Sequence, residues 1–154
     1  MIKVNKEYSG IINQRRRSKN MGLKADFTEE QWLECLINFN LGCAYCGEHF
    51  NIQQEHLISI RLNGEYTKSN IIPACKSCNC SKNNSNFLSW YAEQRFFQKS
   101  RVSKIFQWVG NETKDKIKSC CHWKTLNVSL YLREMNGIRE LEEKNPSMGY
   151  FKRL

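Results

Sequence analysis

Apolar residues recur at helical spacing in two stretches of the chain, on either side of a cysteine-rich centre. In the first stretch, Leu33, Leu36 and Ile37 form an apolar stripe. Thr28 precedes this stripe as a helix cap, and Gln31 three residues later supplies the second member of a capping box. The pattern predicts a helix over residues 27–40, packed against the centre of the molecule.

The second stretch of helical spacing follows the cysteine-rich centre. Asn86 is a good N-terminal cap for a helix, and Ser100 could cap another helical run that ends before Gly110. The apolar positions between them predict core residues, with base stacking as the lesser alternative. They are Phe87, Leu88, Tyr91, Phe96, Phe97, Val102, Ile105, Phe106 and Val109.

Between these stretches the pattern is that of short strands. Residues 54–60 are apolar and β-branched at several positions, which predicts a first strand. Ile71 and Ile72 begin a second strand, and Pro73 restricts it to a short or edge strand because proline lacks the N–H donor. A helix is predicted to start near Lys76.

The two ends of the chain carry weaker patterns. Residues 1–25 read as a basic N-terminal arm, with Arg15, Arg16, Arg17 and Lys19 as its densest part. Such a run is usually a solvated or disordered tail, and the alternative is that it contacts phosphates. Residues 111–154 form an extension of uncertain structure, in which residues 127–141 fit either a β-hairpin or a helix.

Charge is unevenly distributed along the 154 residues, whose net charge is +9. Residues 1–25 hold seven Lys or Arg and one acid, and residues 99–124 hold seven and two. Residues 26–98 hold only five Lys or Arg and eight Asp or Glu. Basic segments on both sides of a mildly acidic centre favour binding to nucleic acid.

The chain also carries signals of its compartment. It shows no apolar run long enough to span a membrane, and residues 1–6 lack the apolar segment of a signal peptide. Eight cysteines without a secretion signal favour metal ligation in a reducing cytoplasm.

Two Cys-x-x-Cys pairs, Cys43 with Cys46 and Cys75 with Cys78, have the spacing of a four-thiolate zinc site. His49 could replace one ligand, although four cysteines suffice. Cys80 lies outside both pairs and reads as a spare thiol. Cys120, Cys121 and His122 form a second possible cluster, but adjacent cysteines lack the usual ligand spacing.

Within this cysteine frame, Glu55-His56, Asn70 and Asn79 occur in an order that resembles the HNH, or ββα-metal, endonucleases. The flanking segments CAYCG and NIIPACKSCNCSK are also similar to the family, and the resemblance covers roughly residues 15–108. The family usually has Asp before the His, whereas this chain has Glu55, which adds a methylene.

The resemblance implies an α+β fold, with a small zinc-framed ββα-metal core and flanking helices. It places an HNH nuclease domain at residues 26–110. It implies a DNA endonuclease in which His56 is the general base and Glu55 and Asn79 hold a catalytic Mg²⁺ or Mn²⁺. Asn70 would hold the loop between the strands, and Lys82 is either a phosphate contact or a solvated lysine.

An alternative is a non-catalytic zinc-ribbon module that binds DNA, with Glu55 and His56 incidental; a zinc module for protein interaction is less favoured, given the basic flanks. The enzyme interpretation implies a phage or mobile-element protein of the bacterial cytoplasm or of a phage-infected cell. The sequence leaves open the DNA target, the number of strands cut and the oligomeric state.

Overall fold

The structure, a computed structural model, describes residues 4–119. A two-stranded antiparallel sheet is surrounded by helices, which agrees with the predicted α+β class. The elements are α1 (Val4–Asn20), α2 (Glu29–Asn38), β1 (Ile52–His56), a 3-10 helix (Ile60–Leu62), β2 (Ile71–Cys75), α3 (Lys76–Lys82), α4 (Phe87–Ala92) and α5 (Lys99–Ser119). Residues 120–154 lie outside this description, and with them the predicted hairpin or helix and the Cys120, Cys121 and His122 cluster. No helix among the described residues is both long and apolar enough to cross a membrane.

The sheet pairs β1 with β2 so that Ile52 lies opposite Cys75 and His56 opposite Ile71. The predicted first strand began at residue 54 and ran to residue 60, so its position is corrected. After His56 the strand pairing gives way to bonds with Asn70: the Leu57 N–H donates to the Asn70 carbonyl at 2.9 Å, and the Ile58 N–H donates to Asn70 Oδ1 at 2.8 Å. A strand that ends there no longer forces its last two side chains onto opposite faces.

Helix α2 has the predicted N-terminus. The Thr28 hydroxyl accepts from the Gln31 N–H, and the Gln31 side chain accepts from the Thr28 N–H, which completes the capping box. The predicted apolar stripe is wrong at two of its three positions, because Leu33 and Ile37 are 56% and 69% exposed and only Leu36 packs against the core. The buried residues of the helix are instead Trp32 and Cys35.

Residues 1–25 are not a solvated tail throughout, because helix α1 forms within them and contacts the core. Ile11 is 4% exposed and Ser18 is fully buried. The Arg15 guanidinium donates to the Phe27 carbonyl at 3.1 and 2.7 Å. These three residues lie at helical spacing on one face of α1. Among residues 10–20, whose burial the structure describes, one buried apolar residue between charged neighbours gives little sequence signal.

The helices after the sheet enclose an aromatic core. Asn86 caps α4 as predicted, since its side chain accepts from Leu88 and Ser89. The predicted core positions of α4 and α5 are buried, and Phe96 and Phe97 are partly buried against them. Helical structure continues past the predicted end at Gly110 as far as Ser119, but Gly110 itself is non-helical, with φ 82° and ψ 175°. α5 is therefore two helical runs joined at a residue without a Cβ.

Candidate metal and catalytic site

Four cysteine sulfurs form a cluster at the junction of β2 and α3. The Sγ atoms of Cys43, Cys46, Cys75 and Cys78 all lie within 4.8 Å of one another, and those of Cys46 and Cys75 are 3.8 Å apart. Tetrahedral zinc with Zn–S bonds of about 2.3 Å would set its sulfurs about 3.8 Å apart. The four thiols, which form no disulfide, fit one such ion.

The backbone brings the two cysteine pairs together. The Ala44 N–H donates to the Pro73 carbonyl at 2.8 Å, which ties the first pair to β2. Cys75 ends β2 and caps α3, so Cys78 lies one turn into that helix. A hydrogen bond from Cys78 is the main cause that lowers the pKa of Cys43 to about 5. The same hydrogen bond raises the pKa of Cys78, so the thiols of the cluster ionise as a coupled group.

A pocket of about 530 Å³ lies beside the end of β1. Residues from α1, β1, the following loop, α3 and the turn after α3 line it, among them Arg17, Glu55, His56, Arg61, Asn79 and Asn84. The predicted acid–histidine pair and Asn79 thus share one pocket. Cys80 also lines this pocket and lies outside the four-sulfur cluster.

His56 occupies the last position of β1. Its Nε2 is buried and has no hydrogen-bond partner among the described residues. Burial, with smaller contributions from Lys82 and Arg17, lowers the pKa of His56 to about 4. The imidazole is therefore neutral at pH 7, with a lone pair available. A buried polar atom without a partner in the protein is a place where a water, ion or ligand is expected.

Glu55 is buried at the preceding position and forms an internal ion pair. Its Oε1 accepts from the Lys82 ammonium at 2.7 Å, and the two side chains are 6% and 0% exposed. Burial raises the pKa of Glu55, and the Lys82 charge opposes that shift. A carboxylate has a second oxygen, so Glu55 can still ligate a cation while paired with Lys82.

The burial of Lys82 corrects both predictions made for it. A solvated lysine is excluded by its full burial. Contact with phosphate does not fit this arrangement either, since the ammonium donates to Glu55 and also to the His56 carbonyl at 3.0 Å. The sequence interpretation placed Lys82 on the right helix but expected its side chain at the surface in both alternatives.

The two asparagines lie in different surroundings. Asn79 lines the pocket, and its Nδ2 donates to Gln53 Oε1 at 3.3 Å, which leaves its carbonyl oxygen as the atom for a cation. Asn70 is buried and bonds the loop backbone: it accepts from Ile58 N–H and donates to the carbonyls of Ile58 and Glu65. These are the contacts that the resemblance implies for Asn70.

The same loop requires a glycine where it passes Asn70. A Cβ on Gly64 would overlap the Ile58 carbonyl and crowd the Asn70 amide. Gly64 therefore permits the close approach through which Asn70 holds the end of β1 in place.

The basic residues of α1 are not equivalent. Arg17 is exposed and lines the pocket, whereas Arg15 is engaged by the Phe27 carbonyl. Arg16 is exposed and donates to Asn13 at 3.3 Å, and Lys19 is exposed. The sequence interpretation missed Arg61, a second exposed arginine at the pocket. Arg61 lies only five residues after His56, in the segment between the strands, and this closeness in sequence could have indicated that it lies near the site.

Comparison with known proteins agrees with this geometry. Residues 43–85 match the family model described as HNH endonuclease. They include both cysteine pairs, Glu55, His56, Asn70 and Asn79. The resemblance to HNH endonucleases predicted from the sequence is therefore confirmed for this segment.

A relative extends the similarity beyond the HNH segment. The chain is 32% identical over 122 residues to YoqL of Bacillus subtilis (strain 168), an SPbeta prophage-derived protein whose name assigns it to the HNH endonucleases. The match covers 71% of this chain and 52% of YoqL. The chain thus spans about half the length of the relative.

Proposed function

We propose that the protein is a metal-dependent endonuclease that hydrolyses phosphodiester bonds of DNA. The observation that carries this proposal is the pocket where neutral His56, Glu55 and Asn79 meet, within a segment that matches HNH endonucleases. Two exposed arginines, Arg17 and Arg61, line the same pocket and are suited to phosphate oxygens. By resemblance, cleavage leaves a 5′-phosphate and a 3′-hydroxyl.

His56 acts as the general base in this proposal. Its imidazole is neutral at pH 7 and can accept a proton from the attacking water. A nitrogen with a pKa of about 4 is a weak base, so it works best on a water whose own acidity has been increased. Asn70 holds the backbone beside His56 and thereby fixes where the imidazole lies.

Glu55 and Asn79 would hold the catalytic Mg²⁺ or Mn²⁺. A carboxylate oxygen and an amide oxygen are hard ligands of the kind these ions prefer, and the unpartnered Nε2 of His56 leaves room for a polar ligand nearby. Bound there, the ion would acidify water and neutralise charge on the phosphate. Because Lys82 already neutralises Glu55, the DNA phosphate is expected to supply much of the ion's remaining coordination.

The four cysteines would hold a separate, structural zinc ion. Four thiolates leave no open coordination position, so this ion has no direct role in hydrolysis. It would fix the start of α3, which carries Asn79, against the end of β2. We place the protein in the cytoplasm of a bacterium or phage-infected cell, supported by the prophage origin of YoqL.

Cleavage of supercoiled plasmid in Mg²⁺ or Mn²⁺ tests the proposal. His56→Ala should lose about a hundredfold or more of the rate, the usual contribution of a general base. Its zinc content and DNA binding should stay near wild type. His49→Ala is the matched control, because His49 is exposed and outside the pocket. A wild-type cleavage rate in His56→Ala would reject His56 as the base. If the wild-type protein itself cleaves no DNA, the result favours the zinc-ribbon DNA-binding module.

A further inference from the structure

Lys82 is a buried cation that the proposed reaction does not use. It ends α3, its side chain is fully buried, and it is one of the largest such side chains in the described part of the molecule. Lysine is almost never fully buried unless it is paired, because removing an ammonium from water is costly. Its location therefore reflects what its ammonium contacts.

The ammonium contacts both members of the acid–histidine pair. It donates to Glu55 Oε1 at 2.7 Å and to the backbone carbonyl of His56 at 3.0 Å. One bond fixes the carboxylate, and the other fixes the last residue of β1. Glu55 and His56 precede Lys82 by 27 and 26 residues. The Lys82 ammonium therefore ties α3 to the end of β1 that carries the acid–histidine pair.

We infer that Lys82 is a positioning residue of the nuclease site: its ammonium holds the Glu55 carboxylate and the His56 backbone, and it does not contact DNA. This inference rests on the proposed function. It extends that function by giving the site a fixed internal cation next to the proposed metal ligand. Groups that orient metal ligands from behind typically contribute 10- to 100-fold to affinity or activity.

Substitution of Lys82 by Met tests whether the ammonium positions Glu55 and His56 or instead contacts DNA. The variant removes the ammonium and keeps a flexible chain of similar length. DNA affinity, measured by fluorescence anisotropy on the zinc-loaded protein without added Mg²⁺ or Mn²⁺, should stay within about twofold of wild type. With saturating Mn²⁺, kcat for plasmid cleavage should fall 10- to 100-fold while KM for DNA is unchanged.

The control must lose stability without touching the site. Val102→Ala serves, because Val102 is fully buried on α5 and does not line the pocket. It should keep the wild-type kcat at temperatures where it is folded. A kcat for Lys82→Met equal to that of Val102→Ala would overturn the inference, and so would a tenfold loss of DNA affinity, which would make Lys82 a phosphate contact.

A measurement on the wild-type protein covers the case in which Lys82→Met does not fold. Ammonium protons held in a buried ion pair exchange slowly enough to give a resolved ¹H–¹⁵N NMR signal. The Lys82 signal should be present in the free zinc-loaded protein and persist when DNA is added without Mg²⁺ or Mn²⁺. Loss of the signal on adding DNA would show that the side chain leaves Glu55, which contradicts the inference. If the protein cleaves no DNA with any ion, the proposed function fails, while this signal and the anisotropy still locate the ammonium.

Discussion

At the scale of single residues, the Lys82–Glu55 ion pair places two buried charges beside the pocket. Lys82 and Glu55 are 0% and 6% exposed, so neither charge is screened by solvent when its partner is removed. Breaking a buried ion pair from one side costs about 3–5 kcal/mol, whereas replacing both partners is often close to neutral. The pair thus constrains which substitutions the site tolerates.

The first prediction follows from this asymmetry. Lys82→Met alone should lower the free energy of unfolding by about 3 kcal/mol or more, because it leaves the Glu55 carboxylate buried without its partner. The double variant Glu55→Gln with Lys82→Met should recover most of that loss. Urea unfolding of the single and double variants measures the coupling. Additive losses would mean that the two groups do not form an ion pair in solution.

Asn70 gives a second prediction at this scale. Asn70→Ala removes three side-chain hydrogen bonds and leaves backbone groups of Ile58 and Glu65 unsatisfied. At about 1 kcal/mol for each bond, stability should fall by about 3 kcal/mol. Asn38→Ala on α2 is the matched control, because Asn38 is exposed. Similar urea midpoints for the two variants would argue against a structural role for Asn70.

At the scale of elements, the cysteine cluster joins β2 and α3 to the preceding loop. Cys75→Ser should abolish stoichiometric zinc binding and destabilise the fold, because metal binding and folding are coupled in small zinc sites. Elemental analysis and thermal melting measure the two effects. Cys80→Ser is the control, since Cys80 is exposed on the same helix and outside the cluster. Full zinc content in Cys75→Ser would refute the four-cysteine site.

The elements also show where sequence reasoning succeeded and where it did not. Local signals such as the Thr28–Gln31 capping box, the Asn86 cap and the cysteine spacing gave α2, α4 and the cluster, because each depends on neighbours in sequence. The apolar stripe of α2 was wrong because Trp32 and Cys35 face the core instead of Leu33 and Ile37. Which face of a helix is buried depends on partners distant in sequence, and the same holds for Lys82.

At the scale of the whole molecule, the basic N-terminal segment is part of the folded unit. Deleting it would remove Ile11 from the core and the bond from Arg15 to the Phe27 carbonyl. A loss of DNA binding after such a deletion would therefore mix stability with electrostatics. Substitution of exposed basic residues on α1 isolates the electrostatic part.

The last prediction concerns DNA binding by this exposed charge. Replacing Arg16, Arg17 and Lys19 together by Gln should leave folding intact, because all three are exposed. If each neutralises one phosphate, the slope of log K against log salt should become shallower by about 2 to 3. Anisotropy titrations at several salt concentrations, on the zinc-loaded protein without added Mg²⁺ or Mn²⁺, measure the slope without cleavage.

Two controls show whether the change in salt slope comes from the position of these residues on α1, from the loss of net charge or from a loss of folding. The triple variant Arg95→Gln, Lys99→Gln and Lys104→Gln loses the same charge at residues that do not line the pocket. Its slope should change less than that of the α1 variant. Arg15→Gln should mainly lower stability, since that guanidinium is held by Phe27. Equal slope changes in the two triple variants would mean that overall charge attracts DNA and that α1 has no particular place in the interface.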